Sequence, residues 1–213
     1  MPVAFTFAHC EKVGKMATTT VCEIPGYPRV YLTEESRQMT IRPMLPTDGE
    51  ALMEFFRRIP EQDRFYLKED VTSPQVIARW TENMDYSRAI LLLAELDGKI
   101  VGDGTLHHRR AGSRRHAGEV RIVVDPEYRN QGVGRGLLHN LIDLAYQKGL
   151  EKLLFELVAD TEEAARHTAL LLGFVQLAAL PAHVRDLGGA AHGLVIMELD
   201  LASLNAERDP AMC

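Results

Sequence analysis

Apolar positions along this chain recur with two different periods, and the switches between them mark out the elements. Met39–Met44 alternates and predicts a first strand. Thr47-Asp48-Gly49-Glu50 has the form of a capping box. Ala51, Leu52, Phe55, Phe56 and Ile59 then share one stripe at helical spacing, which predicts a helix that stops at Pro60. A polar loop holding Phe65 and Tyr66 follows. Ser73-Pro74 opens a second helix, with serine as N-cap, proline in the first turn, and Val76, Ile77 and Trp80 on the buried side. Two apolar runs, Ala89–Leu96 and Ile100–His107, flank Asp97-Gly98, the strongest short signal for a hairpin. The segment 107–116 reverses the chain into a strand over Gly118–Val124. Val133, Leu137, Leu138, Leu141, Ile142 and Ala145 form one face of a helix ending at Gly149. A strand over Lys152–Val158, a helix near Glu162–Leu172 closed by Gly173, and strands at about Val175–Leu180 and Leu194–Leu201 complete the pattern.

Strands joined by tight turns must be antiparallel, whereas a strand–helix–strand unit must be parallel and right-handed. The predicted fold is therefore α/β (α+β): a mixed, mostly antiparallel sheet flanked by helices. Residues 1–39 have no clear period and contain Pro25-Gly26-Tyr27-Pro28, so they read as an N-terminal extension, partly extended, that packs on the domain. The domain itself is expected over 40–204, with a tail at 205–213. No internal repeat interrupts it.

Composition narrows the possible classes. With 213 residues, 46% apolar and 25% charged, the chain suits one domain with a sizeable core. A net charge of -6 argues against a general nucleic-acid binder. No window approaches the ~18 apolar residues of a membrane span. The first ten residues lack the basic and apolar regions of a secretory signal. Cys10, Cys22 and Cys213 are odd in number and far apart, so neither a disulfide framework nor a metal site is expected, and a reducing cytoplasm fits best. His9-Cys10 is too small a cluster to argue for a metal or a nucleophile.

The densest chemical signal is the stretch from Val123 to Leu138, VVDPEYRNQGVGRGLL: a β-branched strand end, a proline turn, an arginine, a glycine-dense loop, then an amphipathic helix. Backbone N–H groups free of bulky side chains at a helix N-terminus form a ready anion site, and a phosphate or pyrophosphate is the expected guest. A P-loop would need Lys-Ser/Thr after the last glycine, where Arg135-Gly136 stands. A dinucleotide fingerprint would need a third glycine at Leu137, although Asp160 does lie at the end of the next strand. A glycine-rich connector without a ligand is the plain alternative. The remaining pattern, Arg-x-x-Gly-x-Gly, is matched by Arg129, Gly132 and Gly134. With the strand Glu119–Val124 before it, it resembles the acetyl-CoA loop of the GNAT N-acetyltransferase family.

The resemblance covers about Thr40 to Leu204 and implies the GNAT acyl-CoA N-acyltransferase fold. The fragments EFFRRIPE (54–61) and GEVRIVV (118–124) look most like bacterial protein-lysine acetyltransferase domains. Carried over by position, it implies that main-chain N–H groups of Gln131, Gly132, Val133, Gly134 and Arg135 hold the CoA pyrophosphate, with Arg129 and Asn130 shaping the loop. The main chain at Ile122, Val123 and Val124 would pair with pantetheine. Glu119 would be the general base that frees the acceptor amine of its proton; the plainer alternative is a strand-end carboxylate paired with Arg121. By alternation Glu119, Arg121 and Val123 share one face.

The chain also departs from the family. The tyrosine that protonates the departing thiolate is replaced by Ala169, and the usual asparagine at the start of the same helix by Glu162. A thiolate whose conjugate acid titrates near ~8.5 leaves acceptably without an acid. His167 is a surface histidine or a substitute acid. The reversal with four arginines and three histidines over 107–116 is a solvated tip, or a contact for the CoA 3′-phosphate, for an acidic acceptor protein or, least favoured because no aromatic residue interleaves the charges, for nucleic acid. The expectation is an N-acetyltransferase using acetyl-CoA, without metal or membrane, acting on a protein lysine or a small-molecule amine, with room for a homodimer. The rival is a non-catalytic acyl-CoA-binding regulatory module.

Overall fold

The computed structural model describes residues 24–33 and 35–203. Eight strands form one sheet in the order β1-β2-β3-β4-β5-β6-β8-β7. They are β1 (Arg29–Leu32), β2 (Gln38–Pro43), β3 (Ala89–Leu96), β4 (Lys99–His108), β5 (Ala117–Val124), β6 (Lys152–Val158), β7 (Val175–Arg185) and β8 (Ala191–Asp200). The helices are α1 (Gly49–Arg58), α2 (Glu61–Phe65), α3 (Pro74–Glu82), α4 (Val133–Gln147) and α5 (Glu163–Leu171). Every ladder is antiparallel except β5–β6, the strands on either side of α4. The predicted mixed sheet and its single parallel crossover are both present, and the antiparallel order excludes a dinucleotide-binding fold.

β4 carries the fold because both of its faces are covered. Gly102 and Gly104 face α4 so closely that a Cβ at Gly102 would come within 2.9 Å of Leu137, and one at Gly104 within 3.3 Å. Val133, Leu137, Leu138, Leu141, Leu144 and Ala145 of α4 seal this side into the larger core, with Val101, Leu106 and Val120. The alternate β4 positions face α1 and α3, where Met44, Leu52, Phe55, Phe56, Ile77, Leu93 and Ile100 form a second, smaller core.

Several local expectations change. Residues 29–32, read as part of the extension, form the edge strand β1. The described part of the extension packs on the domain: the Tyr27 hydroxyl donates to Asn140 Oδ1 at 3.0 Å, and Arg29 pairs with Asp143 at 2.6 Å. No capping box joins Thr47 and Glu50; the turn before α1 is held by Asp48 instead. Its carboxylate accepts from the Leu45 N–H at 2.6 Å and from Arg42 at 2.7 and 2.9 Å, so a 3₁₀ turn at Pro46–Asp48 leads into α1. The loop with Phe65 and Tyr66 holds the short helix α2. The reading of residues 1–23, Cys10 and Cys22 included, and of the tail with Cys213 lies outside the described residues. No helix among the described residues is long and apolar enough to cross a membrane.

Candidate active site

β5 and β6 are paired only from Ala117↔Lys152 to Val120↔Phe155, although β5 runs on to Val124 and β6 to Val158. The sheet is thus split beyond Val120. Along Arg121–Val124 the β5 edge facing β6 has no strand beside it, while the other edge stays paired with β4 as far as Gly102↔Val124. An open strand edge in a protein interior is a template for an extended ligand.

The split runs into the glycine loop. Asp125 caps a 3₁₀ turn at Pro126–Tyr128, accepting from the Glu127 N–H, and its other oxygen accepts from Arg58 Nε of α1 at 2.6 Å. Arg129 turns back over the loop, donating to the Val124 carbonyl at 3.2 Å and to Asp63 of α2 at 2.6 Å. Gln131 donates to the Glu127 carbonyl. Asn130 and Gly132 both have positive φ, 59° and 85°, and Gly132 is the N-cap of α4. Gly132 needs its glycine for that left-handed turn. The result is a braced loop ending in the α4 N-terminus, whose first-turn N–H groups lack intrahelical acceptors and carry the positive dipole end. Gly136, grouped with the loop glycines in sequence, belongs to the core instead: a Cβ there would meet Met39 at 2.9 Å. Ile122 and Val124 lean on the α4 core.

On the opposite face of β5, Glu119, Arg121 and Val123 point toward α1–α3, next to His107, Thr105 and Asp103 of β4. Glu119 accepts from Arg121 at 2.6 Å and from Lys68 at 2.9 Å, so the pairing with Arg121 is present and Lys68 joins it. Burial pushes its carboxyl up, but the hydrogen bonds from Lys68 and Arg121 outweigh this and hold it below the ordinary value. Arg121 also reaches Glu156 of β6 across the split, at 3.8 Å.

A cavity of about 460 Å³ opens on this face, lined by apolar groups including Met44, Phe56, Leu67, Trp80 and Val123 and by Lys68, Asp103, His107 and Arg121. Asp103 is the residue the sequence reading missed. It is buried, one carboxylate oxygen has no partner, and burial alone pushes its pKa up to about 7. The available signal was an aspartate in the otherwise apolar run 100–106.

The other candidates separate cleanly. Ala169, at the missing tyrosine's position, is fully buried, and His167 is exposed on α5. Glu162 accepts from the Val158 N–H at 2.6 Å at the far end of β6, and burial raises its carboxyl. Arg109, Arg110, Arg114 and Arg115 are exposed at the β4–β5 tip. That tip and the glycine loop lie at opposite ends of an eight-residue strand, about 25 Å apart, so the arginines do not face the loop's guest. Asp160 is committed to His192 at 2.6 Å. No group of three or more metal-binding side chains occurs among the described residues.

Comparison with known proteins adds a family and a set of relatives. The profile of the Acetyltransferase (GNAT) family matches residues 50–174. The L-amino acid N-acyltransferase MnaT of Escherichia coli (strain K12) is 29% identical over 123 residues, which cover 57% of this chain and 70% of that protein. Among solved structures, yncA of Salmonella typhimurium with its cofactor acetyl-CoA aligns with a TM-score of 0.65 at 23% identity, over 82% of this chain and 99% of that one. The GNAT domain of S. lividans PAT aligns with a TM-score of 0.67 at 18% identity, over 84% of this chain and 100% of the other.

Proposed function

The chain belongs to the GNAT acetyltransferase family, and from that premise we propose that it transfers an acetyl group from acetyl-CoA directly to a primary amine. The observation that carries this reading is the split between β5 and β6, which opens at Arg121 and ends at the α4 N-terminus. Acetyl-CoA has the matching layout: an extended, amide-bearing pantetheine arm for the strand edge at Ile122–Val124, and a pyrophosphate for the amides of Gln131–Arg135. The structural relative yncA was solved with acetyl-CoA as its cofactor. Arg129 and Asn130 act by holding the loop in shape.

The amine approaches from the cavity side of β5. Glu119, ionised at neutral pH, accepts its proton through water, and the free amine attacks the thioester carbonyl carbon. The tetrahedral adduct collapses with loss of the CoA thiolate, which takes up the adduct's nitrogen proton through water and needs no tyrosine acid in a chain that has Ala169 in its place. The cavity's size and largely apolar lining favour a small-molecule amine, as the name of the Escherichia coli relative also does; a protein lysine is the second acceptor. The catalytic unit extends from about residue 40 to 204, joined by β1, and its setting is cytoplasmic. Turnover tests the reading: thiol release from acetyl-CoA with a panel of free amines and lysine peptides should reveal at least one acceptor.

A further inference from the structure

Every Asp, Glu, Lys or Arg side chain lining the cavity has an opposite charge, except one. Lys68 and Arg121 share Glu119, Glu69 holds Arg79, and Asp85 faces Arg88. The Asp103 side chain makes no hydrogen bond or ion pair among the described residues; it stands between Leu93 and Val123 on the neighbouring strands, in a cavity whose lining is mostly apolar. A carboxylate in such surroundings is costly when ionised, and a cation supplied by a ligand would offset that cost.

The position of Asp103 limits which nitrogen that cation can be. Asp103 lies directly across from Val123, one strand inward from the split. On the proposed placement of pantetheine along the outer edge of β5, Asp103 and the thioester are two strand spacings apart, about 10 Å. The attacking nitrogen must come within about 3.5 Å of the thioester carbon, so it cannot be the nitrogen that sits on Asp103. An amine attacking from the cavity face stands over the thioester carbon rather than between it and Asp103, so subtracting about 3 Å for the charged hydrogen bond at Asp103 leaves about 7 Å, measured along the sheet, between two nitrogens of one molecule. An extended chain of four or five methylenes spans roughly 6–8 Å. Its path crosses the Val123 side chain, which lies on the same face of the sheet.

We propose that Asp103 anchors a second, non-reacting ammonium of the acceptor, so that the acceptor class is an α,ω-diamine of four or five methylenes, acetylated at the end that reaches the split. This rests on the acetyl-transfer reading above and names its substrate class. The chain's own cations around the cavity, Lys68, Arg79 and Arg121, are engaged with Glu119 and Glu69, and none of them pairs with Asp103.

The test compares 1,4-diaminobutane, 1,5-diaminopentane, n-pentylamine and a lysine peptide as acceptors, for the wild type and for Asp103→Asn, which keeps the shape and removes the charge. Calorimetry with each amine, with and without CoA, accompanies the kinetics, and a thermal melt checks folding. In the wild type, kcat/KM for 1,5-diaminopentane should exceed that for n-pentylamine by at least about tenfold. Asp103→Asn should erase this preference through KM, leaving kcat for the diamine and all parameters for n-pentylamine within about threefold. A wild type that treats diamine and monoamine alike, or a folded variant that keeps the diamine preference, overturns the proposal and leaves acetyl transfer standing. If no amine is acetylated, the transfer reading falls. Calorimetry then judges Asp103 alone: diamine binding that disappears in the variant upholds the anchor, and equal or absent binding in both proteins rejects it.

Discussion

On the α4 face of the sheet, Gly102, Gly104 and Gly118 bring the backbone so near its neighbours that an added Cβ would meet Leu137, Leu141, Leu106 or Leu150 at 2.9–3.3 Å. On the other face, the same strands place Asp103, Thr105, His107 and Arg121 around a cavity of about 460 Å³. One face is packed to the density of an ordinary core; the other keeps an unpaired carboxylate and room for a guest. Close packing fixes α4, and with it the glycine loop, so the proposed cofactor site is rigid and uses backbone groups. The open face spends stability on side chains that recognise and activate, so the proposed acceptor site depends on particular residues. Substitutions should separate the two accordingly.

The largest effect is expected at Glu119. Glu119→Gln should keep CoA affinity nearly unchanged and lower turnover by roughly 10²–10⁴-fold, the worth of a positioned base. Lys68 and Arg121 hold the carboxyl below its ordinary value, so it is ionised throughout the neutral range. The wild-type rate should therefore rise with pH only as the acceptor amine loses its proton, and the variant should recover in part at high pH. A variant as fast as the wild type at pH 7 would leave Glu119 as a paired strand-end carboxylate.

The cavity face should also carry a measurable stability cost. Asp103 titrates near pH 7 in the folded chain against an ordinary 3.8. Between those values the native state holds a proton that the unfolded chain has released, so stability falls as pH rises through the window and levels off above it. The displacement corresponds to at most about 4 kcal/mol. The other ionisable groups sharing the cavity are His107, Arg121, Lys68, Glu69, Arg79, Asp85 and Tyr86, none of which contributes to the displacement. In urea unfolding, the advantage of Asp103→Asn over the wild type should grow from pH 5 to pH 8 and then stay flat. An advantage independent of pH would contradict the burial of an ionised carboxylate.

What the sequence made legible was periodic or local. The Asp97-Gly98 hairpin, the α4 stripe and the glycine loop each depend on neighbours within a few residues, and each is present. What it hid depends on distant partners. The box expected at Thr47–Glu50 gives way to Asp48, whose carboxylate takes the Leu45 N–H and Arg42 of β2. Glu119 was legible as a candidate base, but Lys68, 51 residues away, was not legible as its second partner. Alternation puts Asp103 on the same face as Thr105, yet no pattern reveals that this face encloses a cavity rather than a core. β1 is too short and too exposed to show a period.

The smaller effect belongs to the cofactor face. A Cβ at Gly134 would meet only Val124, at 3.6 Å, so the fold accommodates Gly134→Val while the added methyls block a pyrophosphate. CoA affinity, by calorimetry, should fall about 10- to 100-fold. Arg110→Ala, at the opposite end of β5, should change it by less than about twofold. Equal losses in both variants would place the cofactor elsewhere.

The central claim is that amine chemistry occurs where the cavity face meets the split. It is tested most directly by following free thiol and N-acetylated amine together in a mixture of acetyl-CoA and the amine panel. The account predicts that thiol appears one-for-one with acetylated amine, and that Glu119→Gln slows both equally. Acetyl-CoA that binds tightly yet stays intact with every amine would contradict it and identify a binding module instead.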